Sequence, residues 1–231
     1  MNPWLSQDFD LLFQQVQQSN AKTLVLVGAH RHCGTSTFTR WLAERFANEH
    51  KVLLIDLDMD GAGQNIPPAR WRLDGEGQQQ ALQQVYENLT ILPQPADPIT
   101  ILSLRQSTQL TRCLAQWQNE YDYLLFDTGT MNTSNWEQLP ACALGAHCDG
   151  VILCVAAAKT TEYQLQQCSL QFSQAKVPLL GTVINDSDYP TLSSEISHTI
   201  THRCHWLPKP LKRWLLKRLA NSPLLRGDYQ A

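Results

Sequence analysis

"TLVLVGAHRHCGTSTFTRWLAERF", residues 23–46, decides how the chain is to be read. Residues 23–29 form a nearly continuous apolar run, and such a run of Val and Leu suits a strand covered on both faces. A short polar turn follows, and from about Ser36 to His50 apolar positions recur at helical spacing. Strand, tight turn and helix make the frame of a phosphate-binding loop. In that frame backbone N–H groups converge on an anion at a helix N-terminus, with no side-chain charge required. Gly34 permits close backbone approach, and Ser36 stands in register for the hydroxyl that reaches Mg²⁺. The pattern GxxxxGK[ST] would put glycine at position 29 and lysine at position 35, where this chain has Ala29 and Thr35. The competing reading is a glycine turn that binds nothing.

Two acidic segments lie outward from the loop. "VLLIDLDMDG" (52–61) ends an apolar run with Asp56, Asp58 and Asp60, and "YLLFDTGT" (123–130) ends another with Asp127 and Thr128. Carboxylates at the carboxyl ends of central strands face the crevice where ligands of open α/β sheets bind. Ser36, Asp58 and Asp127 can hold the water shell of Mg²⁺, which prefers oxygen ligands and keeps several waters. Asp56 and Asp58 are the candidate catalytic groups, with Asp56 placed to orient or deprotonate a nucleophile. The competing reading is that these aspartates cap the turns after their strands.

Further strands are expected at "LTILP", "GVILCVAA" and "PLLGTVIND". Helices are expected at "SQDFDLLFQQVQQ", "GQQQALQQVYEN", "QLTRCLAQWQNEY" and "TEYQLQQCSLQFSQA", with an irregular stretch over 60–78. Strands alternating with helices predict a doubly wound α/β domain, with a mostly parallel sheet and helices on both faces. The division expected is one such domain over 1–205 and a basic amphipathic tail over 206–231.

The 231 residues suffice for one full core, and 43% apolar with 17% charged residues reads as globular. A net charge of −3 argues against a general nucleic-acid binder. No apolar run approaches the ~18–20 residues of a membrane span, and the polar start "MNPWLSQDFD" does not read as a secretory signal. Seven scattered cysteines without a CxxC pair read as buried thiols of a reducing cytosol.

The order of strand, loop and helix, then "LLIDLD", "LLFDT", "VAAAKTTEYQLQQ" and "LLGTVIND", resembles the P-loop family that includes the ParA and MinD ATPases. Within it the chain is most similar to the cytoplasmic domain of bacterial tyrosine kinases, the BY-kinases and CpsD-like exopolysaccharide proteins. "LDGEGQQQALQQVYENLTILP" shares in this likeness, which spans roughly residues 8–187. The resemblance implies a P-loop NTPase fold binding ATP or ADP with Mg²⁺. It makes Arg31, Cys33, Gly34, Thr35, Ser36, Thr37 and Asp127 the candidate nucleotide contacts, with Asn185 of "VIND" at the adenine base.

The chain departs from that family in four places. Thr35 replaces the lysine of the terminal phosphates, and His30 aligns with the signature lysine used across the ParA and MinD dimer. Gln7, Asp10 and Phe13 stand where BY-kinases carry an E-x-x-R-x-x-R helix, and the C-terminus holds Tyr229 alone rather than a tyrosine cluster. Losing one charge-assisted hydrogen bond weakens binding by roughly 1.5–3 kcal/mol. Phosphoryl transfer suffers more, because it relies on electrostatic stabilisation of the moving group.

The tail "WLPKPLKRWLLKRLANSPLL" packs Lys212, Arg213, Lys217 and Arg218 among Leu211, Trp214, Leu215 and Leu219. One apolar face, a Trp and flanking cations are the composition of an interfacial helix, with docking on a partner or on its own domain as the alternatives. His198 and His202 stand at i, i+4 before it, a spacing that by itself makes a poor metal site.

The expectation is a degenerate nucleotide-binding regulator of a bacterial exopolysaccharide or envelope system, peripheral at the cytoplasmic face of the inner membrane. Its expected partners are a polysaccharide co-polymerase or synthase component, the membrane surface and a second copy of itself, with no nucleic acid. The alternatives are an active ATPase or tyrosine autokinase with Arg31 covering for the lysine, a MinD/ParA-like positioning protein, and a nucleotide-free scaffold.

Overall fold

The computed structural model describes residues 7–59, 61–131, 141–186, 192–202 and 208–220. The chain divides into two compact units, Met1–Asn185 and Asp186–Ala231. In chain order the first unit contains α1 (Gln7–Gln18), β1 (Thr23–Gly28), α2 (Thr35–Phe46), β2 (Val52–Asp56), α3 (Gln78–Ala81), β3 (Gln83–Tyr86) and β4 (Leu89–Leu92). It continues with α4 (Pro98–Leu104), α5 (Ser107–Glu120), β5 (Tyr123–Thr130), α6 (Ala141–Gly145), β6 (Gly150–Ala156), α7 (Glu162–Ala175) and β7 (Leu179–Asn185). The second unit contains α8 (Leu192–His202) and α9 (Lys209–Ala220).

The seven strands form one sheet in the order β3-β4-β2-β5-β1-β6-β7, parallel except for the antiparallel edge strand β3. β1 lies between β5 and β6, and every residue of β1, β2 and β6 is buried. Side chains alternate across a strand, and here both sets are apolar. Val25, Val27, Leu53, Ile55, Leu124, Phe126, Val151 and Leu153 join one core with Leu110, Leu114, Leu144 and Phe172 of α5, α6 and α7. Leu24, Leu26, Val52, Leu54, Leu125 and Ile152 join the other with Phe9 and Val16 of α1 and Leu42 and Phe46 of α2. The continuous apolar runs thus serve two layers of helices, as a doubly wound sheet requires.

The helix expected over "GQQQALQQVYEN" is a correction. Only Gln78–Ala81 is helical, and Gln83–Tyr86 runs antiparallel to β4. Gln, Ala and Leu favour a helix locally, but pairing with β4 completes the sheet edge and overrides that preference. The sequence reading also passed over α4, whose start is capped by the Asp97 side chain accepting from the Ile99 N–H with Pro98 in the first turn. β2 ends at Asp56, so Asp58 stands on the following loop rather than on the strand; Asp60 lies outside the described residues.

Asp149 ties the start of β1 to the start of β6. Its Oδ2 accepts from the Lys22 N–H at 2.9 Å, the Thr23 N–H at 2.8 Å and the Thr23 hydroxyl at 2.8 Å. Partial burial pushes its pKa up, but the Thr23 and Lys22 hydrogen bonds win and hold it below the usual carboxylate value. Asp149→Ala should cost roughly 1.5–3 kcal/mol in urea unfolding, the range for hydrogen bonds to a charged group. A loss below about 0.5 kcal/mol, the scatter of ordinary surface substitutions, would show that this junction is not a stabilising contact.

Candidate functional site

The turn from β1 to α2 is shaped by space. A Cβ added to Gly28 would stand 2.7 Å from the Thr35 hydroxyl, 2.9 Å from the His30 carbonyl and 3.2 Å from that of Gly129. Only glycine leaves room for the loop to curl back here. His32 and Gly34 both take positive φ, 64° and 84°, and Gly34 caps α2 with no side-chain hydrogen bond. The first-turn amides of α2 therefore have no side-chain acceptor at the cap, the condition under which a helix N-terminus receives an anion.

These residues wall a cavity of about 340 Å³, lined by residues 30–37, Asp58, residues 61–63, Gly129 and Thr130. Arg31, Cys33, Gly34, Thr35, Ser36 and Thr37 are thus brought together, with Asp58 on the facing wall. Thr35 is nearly buried, and its hydroxyl hydrogen-bonds the Cys154 thiol of β6. The position that carries lysine in the family pattern is committed to the core and brings no charge. His30 is held across the cavity's rim, with Nδ1 2.6 Å from the Arg31 carbonyl and Nε2 3.0 Å from the Thr160 hydroxyl.

Asp56 and Asp127 lie beneath this wall, paired in register on β2 and β5 and fully buried. Asp56 is closed off by its own loop: Oδ1 accepts from the Asp58 N–H at 3.1 Å and Oδ2 from the Gln64 N–H at 2.7 Å. Gln94 fastens the same loop, donating Nε2 to the Asp58 carbonyl at 2.7 Å. Gln64 then crosses to α2 and β5, its Nε2 3.1 Å from the Ser36 carbonyl and 2.8 Å from Asp127 Oδ2. Asp127 Oδ1 is buried without a hydrogen-bond partner.

Burial raises the pKa of Asp56 to about 6, against the hydrogen bonds from Gln64, Asp58 and Gln94. Burial, and then repulsion from Asp56, raises Asp127 to about 7, with Ser36 and Gln64 opposing. A paired, desolvated carboxylate with an orphaned oxygen suits a hydrated divalent cation, so the residues present fit Mg²⁺. Among the described residues no three His, Cys, Asp or Glu side chains converge as a direct metal site. Cys204 and His205 lie outside those residues. Asn185, at the end of β7, does not line the cavity; its Nδ2 donates to the Cys33 carbonyl at 3.1 Å. Gln64 and Gln94 were not foreseen, because no motif marks them and both act across the irregular stretch.

In the second unit, Lys212 Nζ donates to the Thr201 carbonyl of α8 at 2.8 Å, and the Arg218 guanidinium stacks 5.2 Å from the Trp214 ring centre. Leu211 and Trp214 remain exposed, Lys217 and Arg213 also face solvent, and Leu215 is half-buried. Among the described residues no helix is long and apolar enough to cross a membrane.

No protein-family model matches the chain, and no curated protein matches it. Solved structures do. The kinase domain of the Escherichia coli tyrosine kinase ETK superposes with a TM-score of 0.61 at 21% identity, over 77% of this chain and 72% of that one. A plasmid partition protein from Borrelia burgdorferi gives 0.53 at 19% identity, over 71% and 78%. Cobyrinic acid a,c-diamide synthase from Mycobacterium smegmatis, with bound ADP and magnesium, gives 0.54 at 18%, over 71% and 73%. At these identities the likeness establishes the fold alone, an α/β sheet with helices on both faces that the chain shares with tyrosine-kinase domains and the plasmid partition protein.

Both buried carboxyls have folded pKa values above their unfolded ones. Their stabilising contribution is full below the unfolded value of 3.8 and is lost progressively as pH rises from there through the folded values of about 6 and about 7. Asp127→Asn should raise the ligand-free Tm at pH 8 by roughly 2–6 °C, by less at pH 5, and leave it nearly unchanged at pH 4. Equal Tm loss at both pH values would mean that Asp127 is not a destabilised charge.

Proposed function

We propose that the chain is a nucleotide-binding regulator that holds ATP or ADP with Mg²⁺ and has weak or no catalysis. The observation that carries this reading is the uncapped α2 N-terminus over a cavity with Asp127 Oδ1 unpartnered beneath it. The phosphates would lie against the backbone of residues 33–37. Ser36, Asp58 and Asp127 would hold the hydrated Mg²⁺, which supplies charge neutralisation to the phosphates. Asp56 organises the 58–64 loop in this reading, because both of its oxygens are engaged there. The ligand set without lysine supports retention more than turnover, since the moving phosphoryl group lacks its usual cation.

The sequence resemblance to BY-kinases supports a setting in exopolysaccharide or envelope biosynthesis, beside a co-polymerase or synthase component at the inner membrane. α9 would supply the contact with that surface through Leu211, Trp214 and Leu215, with Arg213 and Lys217 toward anionic headgroups. A single interfacial helix is a modest anchor, so a membrane partner or a second copy would add avidity. Asp58, on the cavity wall, favours a second reading as a slow ATPase or tyrosine autokinase with Asp58 as base.

Calorimetry with MgATP and MgADP tests the binding reading. Saturable binding is expected, weakened roughly tenfold by Ser36→Ala and tightened at least tenfold by Thr35→Lys. Absence of binding up to millimolar nucleotide would leave a scaffold. Released phosphate or phosphotyrosine that disappears in Asp58→Asn would establish the enzymatic reading instead. In vesicle sedimentation, Trp214→Ala should lower binding to anionic lipid several-fold; an unchanged result would assign α9 to a protein partner.

A further inference from the structure

We propose that Asn185 is a positioning residue of the phosphate loop, acting through the Cys33 carbonyl, and not a reader of the nucleotide base. The proposal rests on the nucleotide-binding reading for its ligand, and on the ligand-free structure for its geometry.

Asn185 is itself rigidly placed. It ends β7 in register with Ala156 of β6, and its carbonyl accepts from the Ala157 N–H at 2.8 Å. From there its Nδ2 donates to the Cys33 carbonyl at 3.1 Å. Cys33 stands between two residues of positive φ, His32 and Gly34, so its flanking peptides are turned sharply. In a trans peptide the C=O of one residue and the N–H of the next point in opposite directions. Drawing the Cys33 carbonyl toward Asn185 therefore turns the Gly34 N–H to the other side of the loop. Asn185 is absent from the cavity wall, whereas Cys33 and Gly34 both form part of it. The Asn185 amide thus fixes the direction of one of the backbone donors that would receive phosphate.

The close approach of the two segments explains Gly34 as well. A Cβ at position 34 would lie 2.6 Å from Asn185 Nδ2, in a backbone conformation that side chains disfavour. Glycine at 34 and asparagine at 185 are one device, a donor seated against a peptide that only glycine lets it reach.

The test compares wild type with Asn185→Ala and with Asn185→Asp, which keeps the shape and removes the donor at pH 8. Each is titrated with MgATP and with magnesium tripolyphosphate, which has phosphates and no base. Loss of the positioning bond should weaken both ligands by the same factor, roughly five- to tenfold for one well-directed donor. Weaker ATP binding with unchanged tripolyphosphate binding would make Asn185 a base contact and overturn the proposal, as would unchanged binding of both. Hydrogen exchange on the ligand-free proteins gives an independent measure. The Phe38 amide, which donates to the Gly34 carbonyl at 3.0 Å, should exchange faster in both variants while β1 and β6 amides keep their protection. If wild type binds neither ligand, the nucleotide reading fails, and unchanged Phe38 exchange would then also overturn the positioning role.

Discussion

Two carboxylates stand at the same level of neighbouring parallel strands, Asp56 at the end of β2 and Asp127 within β5, and neither reaches solvent. That pairing of Asp56 with Asp127 is the constraint around which the rest of the site is arranged. Like charges side by side in a low-dielectric setting demand donors. The chain answers at Asp56 with the backbone of the 58–64 loop. It answers at Asp127 with the Ser36 hydroxyl nearby and the Gln64 amide on Oδ2, which leave Oδ1 without a hydrogen bond. The loop is therefore a consequence of the pair, and Gln94 is a consequence of the loop. The doubly wound sheet makes the pair unavoidable, because β2 and β5 are adjacent and carry aspartate at matched registers.

Much of the fold is legible in the sequence, for a physical reason. β1, β2, β5 and β6 face helices on both sides, so their apolar runs lack alternation and stand out. The residues that alternate between the two cores are Val, Leu, Ile or Phe, joined in β6 by Cys154 and Ala156. At the edge this signal fades. β3 is largely exposed and made of Gln, Val and Tyr, so local helix preference masked a strand defined by its partner β4. The start of α4 does carry a local signal, the Asp97 cap followed by Pro98. Within the site, the loop and the three aspartates could be read because their spacing along the chain is fixed by the strand–turn–helix frame. Gln64, Gln94 and the Asn185 contact could not, because each acts across a distance in sequence that no short motif records.

Thr35 shows how a loop can keep its shape with a different side chain at the position where the pattern GxxxxGK[ST] has lysine. A lysine there would project charge toward phosphates. The threonine turns its hydroxyl to Cys154 and fits against Gly28. The loop keeps its shape because that shape depends on glycine, on positive φ at His32 and Gly34, and on the Asn185 bond, none of which needs the lysine. Geometry and charge are separable here. On the proposed reading, the backbone of the loop would offer phosphate only amides and helix dipole.

The raised pKa values of the aspartate pair carry a further consequence for any cation that would enter. Near neutral pH part of the population holds a proton on Asp127, and Asp56 follows about one pH unit lower. A divalent ion favours the ionised form and must displace those protons. On the proposed reading, magnesium and hydrogen ions would compete at Asp127. Binding would then be proton-linked, and its calorimetric heat would vary with the ionisation enthalpy of the buffer. A drop in pH would weaken the cation's hold by mass action alone, with no movement of the fold.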